Sequence, residues 1–172
     1  MSNLFGTDGI RGLANQYPIT AEVALNLGRS IGYYFKNSKN NIALIGRDTR
    51  ISGDMLKSAI TAGLCSTGVN VIDAGIITTP AVAYLTKQLG VAIGIVISAS
   101  HNPYYDNGIK FFHNNGLKFN NKQEKDIEDI LINEEYERIN VSGNKIGKVK
   151  ILKDAKDIYI DHIIDSIPKN IL

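Results

Sequence analysis

Five side chains near the middle and start of the sequence have types suited to moving a phosphoryl or acyl group. Ser100, His101 and Asn102 sit together in "SASHNP", residues 98–103, and Lys110 follows in "DNGIK". A serine hydroxyl can carry such a group, His101 and Lys110 can handle protons or bind anions, and Asn102 can position an oxygen. The same hexapeptide also has a plain reading as a turn, with Asn102 and Pro103 as turn formers and Ser98 and Ser100 satisfying backbone groups. Two further stretches bear on the choice. "GTDGIRG", residues 6–12, combines three glycines, which let a backbone approach a ligand, with Arg11, a planar and permanently charged fork suited to phosphate. "GRDTRISGD", residues 46–54, adds Arg47 and Arg50, although Arg47, Asp48 and Arg50 read first as a surface ion-pair network. Basic loops around one serine favour phosphate over acyl chemistry.

Competing chemistries lack their signatures. No G-x-S-x-G elbow, G-x-x-x-x-G-K-[ST] loop or G-x-G-x-x-G turn occurs. His113 and His162 have no metal-ligand spacing. Tyr104 and Tyr105 read as shaping the loop, and Cys65 as a structural thiol in an apolar run.

The surrounding pattern says what holds these residues. Residues 20–36 predict a helix capped by Thr20, with Ala24, Leu27, Ile31 and Tyr34 at three-to-four spacing and Gly28 and Gly32 on one face for a close neighbour. Residues 41–46 predict a strand, Ser52 the cap of a second helix ending near Gly68, and residues 70–77 another strand. Thr79 and Pro80 predict the cap and first turn of a third helix. The unbroken apolar run at 91–97 predicts a central strand covered on both faces, ending where "SASHNP" begins. In open α/β sheets, ligands bind just past such strand ends. Residues 107–119 predict two β runs around an "NNG" turn, Asn121 and Glu124 a capping box, and Ile127, Ile130 and Leu131 the inner face of a fourth helix. After a polar break at 140–145, a short strand leads to a helix at about 154–167 with Ile160, Ile163, Ile164 and Ile167 as its packing stripe. The expected fold is therefore α/β, a layered mixed β-sheet with helices on both faces over residues 1–140, then the start of a second α/β domain over 141–172.

With 172 residues, 44% hydrophobic and a net charge of +2, the chain is long enough for one well-buried core and carries no field to recruit nucleic acid or an anionic membrane. It has neither a signal-peptide pattern nor an apolar run of membrane-spanning length, so a cytoplasmic protein is expected.

In this order and spacing, "FGTDGIRG", "GRDTRISGDML", "TTPAVAYLT" and "GIVISASHNPYYDNGIKFF" resemble the first domain of the α-D-phosphohexomutase family, from about residue 4 to 119. Within it, "GTDGIRG" and "RISGDML" favour the branch acting on glucosamine phosphates over those acting on mannose or glucose phosphates. The resemblance implies that Ser100 is a phosphoserine that passes its phosphoryl group to glucosamine 6-phosphate. It recovers one through glucosamine 1,6-bisphosphate or a similar sugar bisphosphate, yielding glucosamine 1-phosphate for UDP-N-acetylglucosamine and cell-wall precursors. It implies Lys110 as the general acid/base, Arg11 and His101 beside the phosphoserine, and Arg11, Asn102 and Lys110 as contacts to phosphate or substrate. It also implies Mg2+ bound by the phosphate on Ser100 and by a D-G-D-G-D-R loop that this sequence does not contain. The expected partners are a phosphosugar and the remaining domains of the same enzyme, with a homodimer left open, and the 172 residues alone are expected to turn over little substrate. The other reading is a phosphate-binding module without catalysis.

Overall fold

The computed structural model describes residues 4–6, 8–38, 40–139 and 141–168. Thr7 of the first motif and Asn140, at the expected boundary, lie outside the described residues. The elements are β1 (Ile10–Leu13), α1 (Ala21–Tyr34), β2 (Ile42–Arg47), α2 (Gly53–Ser66), β3 (Asn70–Ile76), α3 (Thr79–Gln88), β4 (Ile93–Ile97), β5 (Asp106–His113), α4 (Asn121–Ile132), β6 (Val149–Ile151) and α5 (Ala155–Asp165). Six strands form one sheet in the order β1-β5-β4-β2-β3-β6. The pairs β4–β2, β2–β3 and β3–β6 are parallel, whereas β5 runs antiparallel to both β4 and β1. This is the mixed sheet with helices on both faces that the alternation predicts.

Strand alternation divides the apolar side chains between two cores. Ala43 and Ile45 of β2 and Ile93, Ile95 and Ile97 of β4 meet α1, α2 and α4 on one face. Leu44 and Val96 turn the other way, toward Val82 and Leu85 of α3 and Ala155 at the start of α5. Every residue of β4 is buried, as its unbroken apolar run requires.

Local signals explain most boundaries. The Thr20 hydroxyl accepts a hydrogen bond from the Val23 N–H and starts α1, and Gly68, at φ 86°, follows the end of α2. The helices α1 and α2 touch backbone to backbone through Gly28 and Gly63, so the small-residue face read from Gly28 and Gly32 does admit a close neighbour.

Several expectations shift. Ser52 precedes α2 but its hydroxyl does not cap it; Ser52 Oγ accepts from Asn107 Nδ2 at 2.8 Å, a longer-range partner that outcompetes the local one. The N-cap of α3 is Thr78 rather than Thr79, which leaves Pro80 inside the first turn. The capping box of α4 is Asn120 with Gln123, one residue earlier than Asn121 with Glu124, because this frame turns Glu124 inward, where it is buried. Ile127 is buried, while Ile130 and Leu131 are half-buried. The second β run of the "NNG" hairpin is reduced to a single bridge between Phe112 and Lys118. Ile160, Ile163 and Ile164 of α5 and Ile167 just beyond it are 44–58% exposed, and it is Ala155, Ile158 and Tyr159 that pack, with His162 stacked on Tyr84 of α3. β6 hydrogen-bonds to β3 as an edge strand of this same sheet.

No helix among the described residues is long and apolar enough to cross a membrane.

Candidate active site

The serine loop leaves the C-terminal end of β4, and the chain returns along β5, which lies antiparallel beside it. The return brings Lys110 back to Ser100: Lys110 Nζ donates to Ser100 Oγ at 2.9 Å. Lys110 is only 6% exposed, while Ser100 faces solvent, so a buried ammonium backs an accessible hydroxyl. Ser100 itself has φ 54°, in the left-handed region that non-glycine residues seldom occupy and that recurs at functional sites. Its N–H donates to Ser98 Oγ at 3.1 Å, which fixes the turn from inside.

β1 supplies the other wall. It pairs with the far edge of β5, Arg11 opposite Gly108. Gly9, at φ 84°, is needed there: a Cβ would fall 2.3 Å from the Ile109 carbonyl oxygen. Arg11 Nη1 donates to Asn102 Oδ1 at 3.0 Å, and Asn102 Nδ2 donates to Asp106 Oδ2 at 3.0 Å. Arg11 Nη2 donates to Asp8 Oδ2, which also pairs with Lys110 Nζ at 2.8 Å. Asp8 thus bridges Arg11 and Lys110, with Lys118 Nζ 4.0 Å from its second oxygen. The structure brings Ser100, Lys110, Arg11 and Asn102 together, and His101 is exposed on the same turn.

Burial pushes the Asp8 carboxyl up, but the Lys110 and Arg11 charges outweigh it and hold it below its ordinary value. A carboxyl depressed in the folded state adds stability that is full above its unfolded value and is lost as pH falls through the folded one. Urea midpoints of the wild-type chain and Asp8→Asn should therefore differ at about pH 6, and the gap should start to close only as pH falls below about 4, the free-Asp value. A gap that does not change with pH would assign the effect to packing instead. Glu124, on the opposite side of Lys118, is shifted upward, chiefly by burial, partly offset by Lys118 Nζ at 3.7 Å.

Residues 2–138 match the family described as Phosphoglucomutase/phosphomannomutase, alpha/beta/alpha domain I. The chain belongs to this family. Its relatives include the phosphoglucosamine mutase of Alkaliphilus metalliredigens, 52% identical over 97% of this chain and 37% of that protein. The phosphoglucosamine mutase of Syntrophus aciditrophicus is 46% identical over 99% of this chain and 38% of that protein. A Phosphoglucomutase/phosphomannomutase family protein from Burkholderia thailandensis superimposes with a TM-score of 0.80 at 25% identity, covering 96% of this chain and 36% of that one. The chain thus spans well under half the length of the relatives it matches.

Phosphohexomutases are associated with a metal cofactor, and the residues present here do not form its site. Among the described residues no three His, Cys, Asp or Glu side chains cluster as metal ligands. The Asp8 carboxylate, which shares Lys110 with Ser100, is already taken up by Arg11 and Lys110.

Two members of this cluster are not singled out by the sequence. Asp8 was only the polar residue inside a glycine-rich motif, and what marks it is its placement three residues before Arg11, within reach of the guanidinium. Arg50 was read as part of a surface network. Its pair with Asp48 exists at 3.0 Å, and Arg47 pairs with Asp54 at 2.7 Å, but both arginines are largely buried rather than at the surface. Arg50 points under the serine loop.

Proposed function

We propose that this chain supplies the phosphoserine domain of a phosphosugar mutase, a phosphoglucosamine mutase like the relatives named above, interconverting glucosamine 6-phosphate and glucosamine 1-phosphate. The observation that carries the reading is the 2.9 Å hydrogen bond from buried Lys110 to exposed Ser100 Oγ. In this mechanism the phosphoryl group on Ser100 passes to a sugar hydroxyl. The Oγ–P bond breaks as the sugar O–P bond forms, and the hydroxyl proton ends on Ser100 Oγ by way of Lys110. The resulting sugar bisphosphate then returns its other phosphoryl group to Ser100, with the proton moving in the opposite sense. Arg11 and Asn102 hold phosphoryl oxygens, and exposed His101 adds a further donor beside the transferring group. Asp8 keeps the two cations aligned while Ser100 is unmodified, and a phosphoryl group on Oγ would compete with it for both.

Mg2+ belongs to this proposal through the phosphate on Ser100, with carboxylate ligands supplied from outside these residues. Residues 141–172 would lead into a further domain, and sugar recognition would rest on parts of the longer protein beyond this chain. A cytoplasmic setting fits the phosphosugar substrate.

Intact-mass and peptide analysis tests the reading. After incubation with glucosamine 1,6-bisphosphate and Mg2+, the chain should gain the mass of one phosphoryl group on the peptide holding Ser100, and Ser100→Ala should gain none. Turnover of glucosamine 6-phosphate by the chain alone should stay near background. Phosphate appearing on another residue, or persisting in Ser100→Ala, would sink the assignment.

A further inference from the structure

We propose that Arg50 is the positioning residue of the serine loop, holding Ser100 in the backbone conformation that presents its hydroxyl to Lys110. The role rests on Ser100 being the phosphoryl carrier proposed above.

All five N–H donors of the guanidinium are accounted for. Arg50 Nε donates to Asp48 Oδ2 at 3.0 Å. Nη1 donates to the carbonyls of Asp106, at 3.0 Å, and Pro103. Nη2 donates to the carbonyls of Ser100, at 3.0 Å, and Asn102, at 2.9 Å. The four carbonyls belong to the loop that runs from the nucleophile to the start of β5, so one planar group gathers both ends of that loop onto itself. With every donor spent on protein, Arg50 has none left for a substrate phosphate. It differs in this from Arg11, whose Nη1 meets the loop at Asn102 Oδ1, at 3.0 Å, and at the Ala99 carbonyl, at 3.5 Å.

The arginine is itself braced. Asp48 Oδ1 accepts from the Arg50 N–H at 3.0 Å while Oδ2 holds Nε, so one carboxylate fixes backbone and side chain together. The Asp48 N–H donates to the Ile97 carbonyl at the end of β4. Ser52 and the fully buried Asn107 form a second tie between the Arg50 segment and the start of β5. The consequence falls on Ser100. Its left-handed backbone is unfavourable for a residue with a Cβ and persists only where its surroundings over-determine it. Arg50 grips the carbonyl of that same residue, so losing the guanidinium frees the peptide that carries the strained angle, and Oγ swings away from Lys110.

Arg50→Ala and Arg50→Lys test this in the chain as it stands. Lysine keeps the charge, but its three tetrahedral donors cannot span four carbonyls and Asp48. Amide exchange at Ser100, Asn102 and Asp106 should accelerate by about tenfold or more in both variants, while amides of β2 and β4 keep their protection. Methylguanidinium, at concentrations far below denaturing, should restore loop protection to Arg50→Ala and not to Arg50→Lys, whose side chain fills the site. Charging of Ser100 by glucosamine 1,6-bisphosphate should slow and recover in parallel. Wild-type exchange in the loop, acceleration spread equally through β4 and α2, failure of methylguanidinium to rescue, or charging of Arg50→Ala at the wild-type rate would each overturn the proposal. If Arg50→Ala does not fold, Arg50→Lys carries the exchange and charging measurements. A wild-type chain that shows the exchange and rescue pattern while its phosphoryl group is found on a residue other than Ser100 would remove the role of Ser100 and leave the loop clamp standing.

Discussion

Replacing Lys110 with methionine is expected to slow the charging of Ser100 by about 100- to 10,000-fold, the usual worth of a placed general acid or base. Methionine matches the unbranched stem of lysine and fills its 6%-exposed slot beside β4, so the fold survives and only the ammonium is lost. Two contacts go with it: the 2.9 Å donation to Ser100 Oγ and the 2.8 Å pair with Asp8. In the proposed mechanism the first provides the proton path, and without it the serine oxygen must leave or attack unassisted. The second matters less, because Asp8 still has Arg11. The rate at which the Ser100 peptide gains phosphoryl mass from glucosamine 1,6-bisphosphate reads the effect, and an unchanged thermal midpoint confirms that folding is intact. Charging at the wild-type rate would move the proton path to another group, with exposed His101 the first to examine.

The second large effect concerns stability. Gly63→Ala should destabilise the chain by about 2 kcal/mol or more, even though alanine is the better helix former by about 1 kcal/mol. A Cβ at residue 63 would stand 2.1 Å from the Leu25 carbonyl oxygen and 2.9 Å from the Arg29 nitrogen. Both are backbone atoms of a regular helix and cannot swing aside, so α1 and α2 must separate along a face that buries Leu27, Ile31, Ile60 and Leu64. Overpacking wins over propensity because the gain is local while the separation strips contacts along both helices. A chain of this size should melt lower by about 2–4 °C for each kcal/mol lost. A midpoint at or above that of the wild type would show that the helices can part cheaply.

Sequence reading reached furthest where a signal was local and periodic. The helix starting at Thr20 and the buried run of β4 both rest on patterns in the neighbouring sequence, and the structure has both. Frame errors arose where neighbouring residues could play the same part. Asn120 and Asn121 are both N-cap formers, and only the burial of Glu124 and Ile127 decides between them. Thr78 and Thr79 pose the same ambiguity beside Pro80. Long-range partners were out of reach for a different reason. Ser52 pairs with Asn107 and Arg50 with carbonyls around residue 103, and no local pattern in "GRDTRISGD" reveals that this segment lies against the serine loop. The isoleucines of α5 had the right spacing for a packing face, but spacing specifies that a face is apolar and leaves its partner unspecified.

The sheet order gives the site an assembly sequence. Among the described residues β1 pairs with β5 alone, and β5 lies between β1 and β4, so during synthesis β1 has no strand neighbour until β5 has emerged. At about 5–20 residues per second that wait lasts roughly 5–20 s. Throughout it Arg11 is untethered, and Ser100, once made, lacks the lysine behind it. Under the proposed mechanism the nascent chain is therefore chemically mute until one late event, the insertion of β5, which joins β1 to β4 and brings Lys110, Arg11 and Ser100 together.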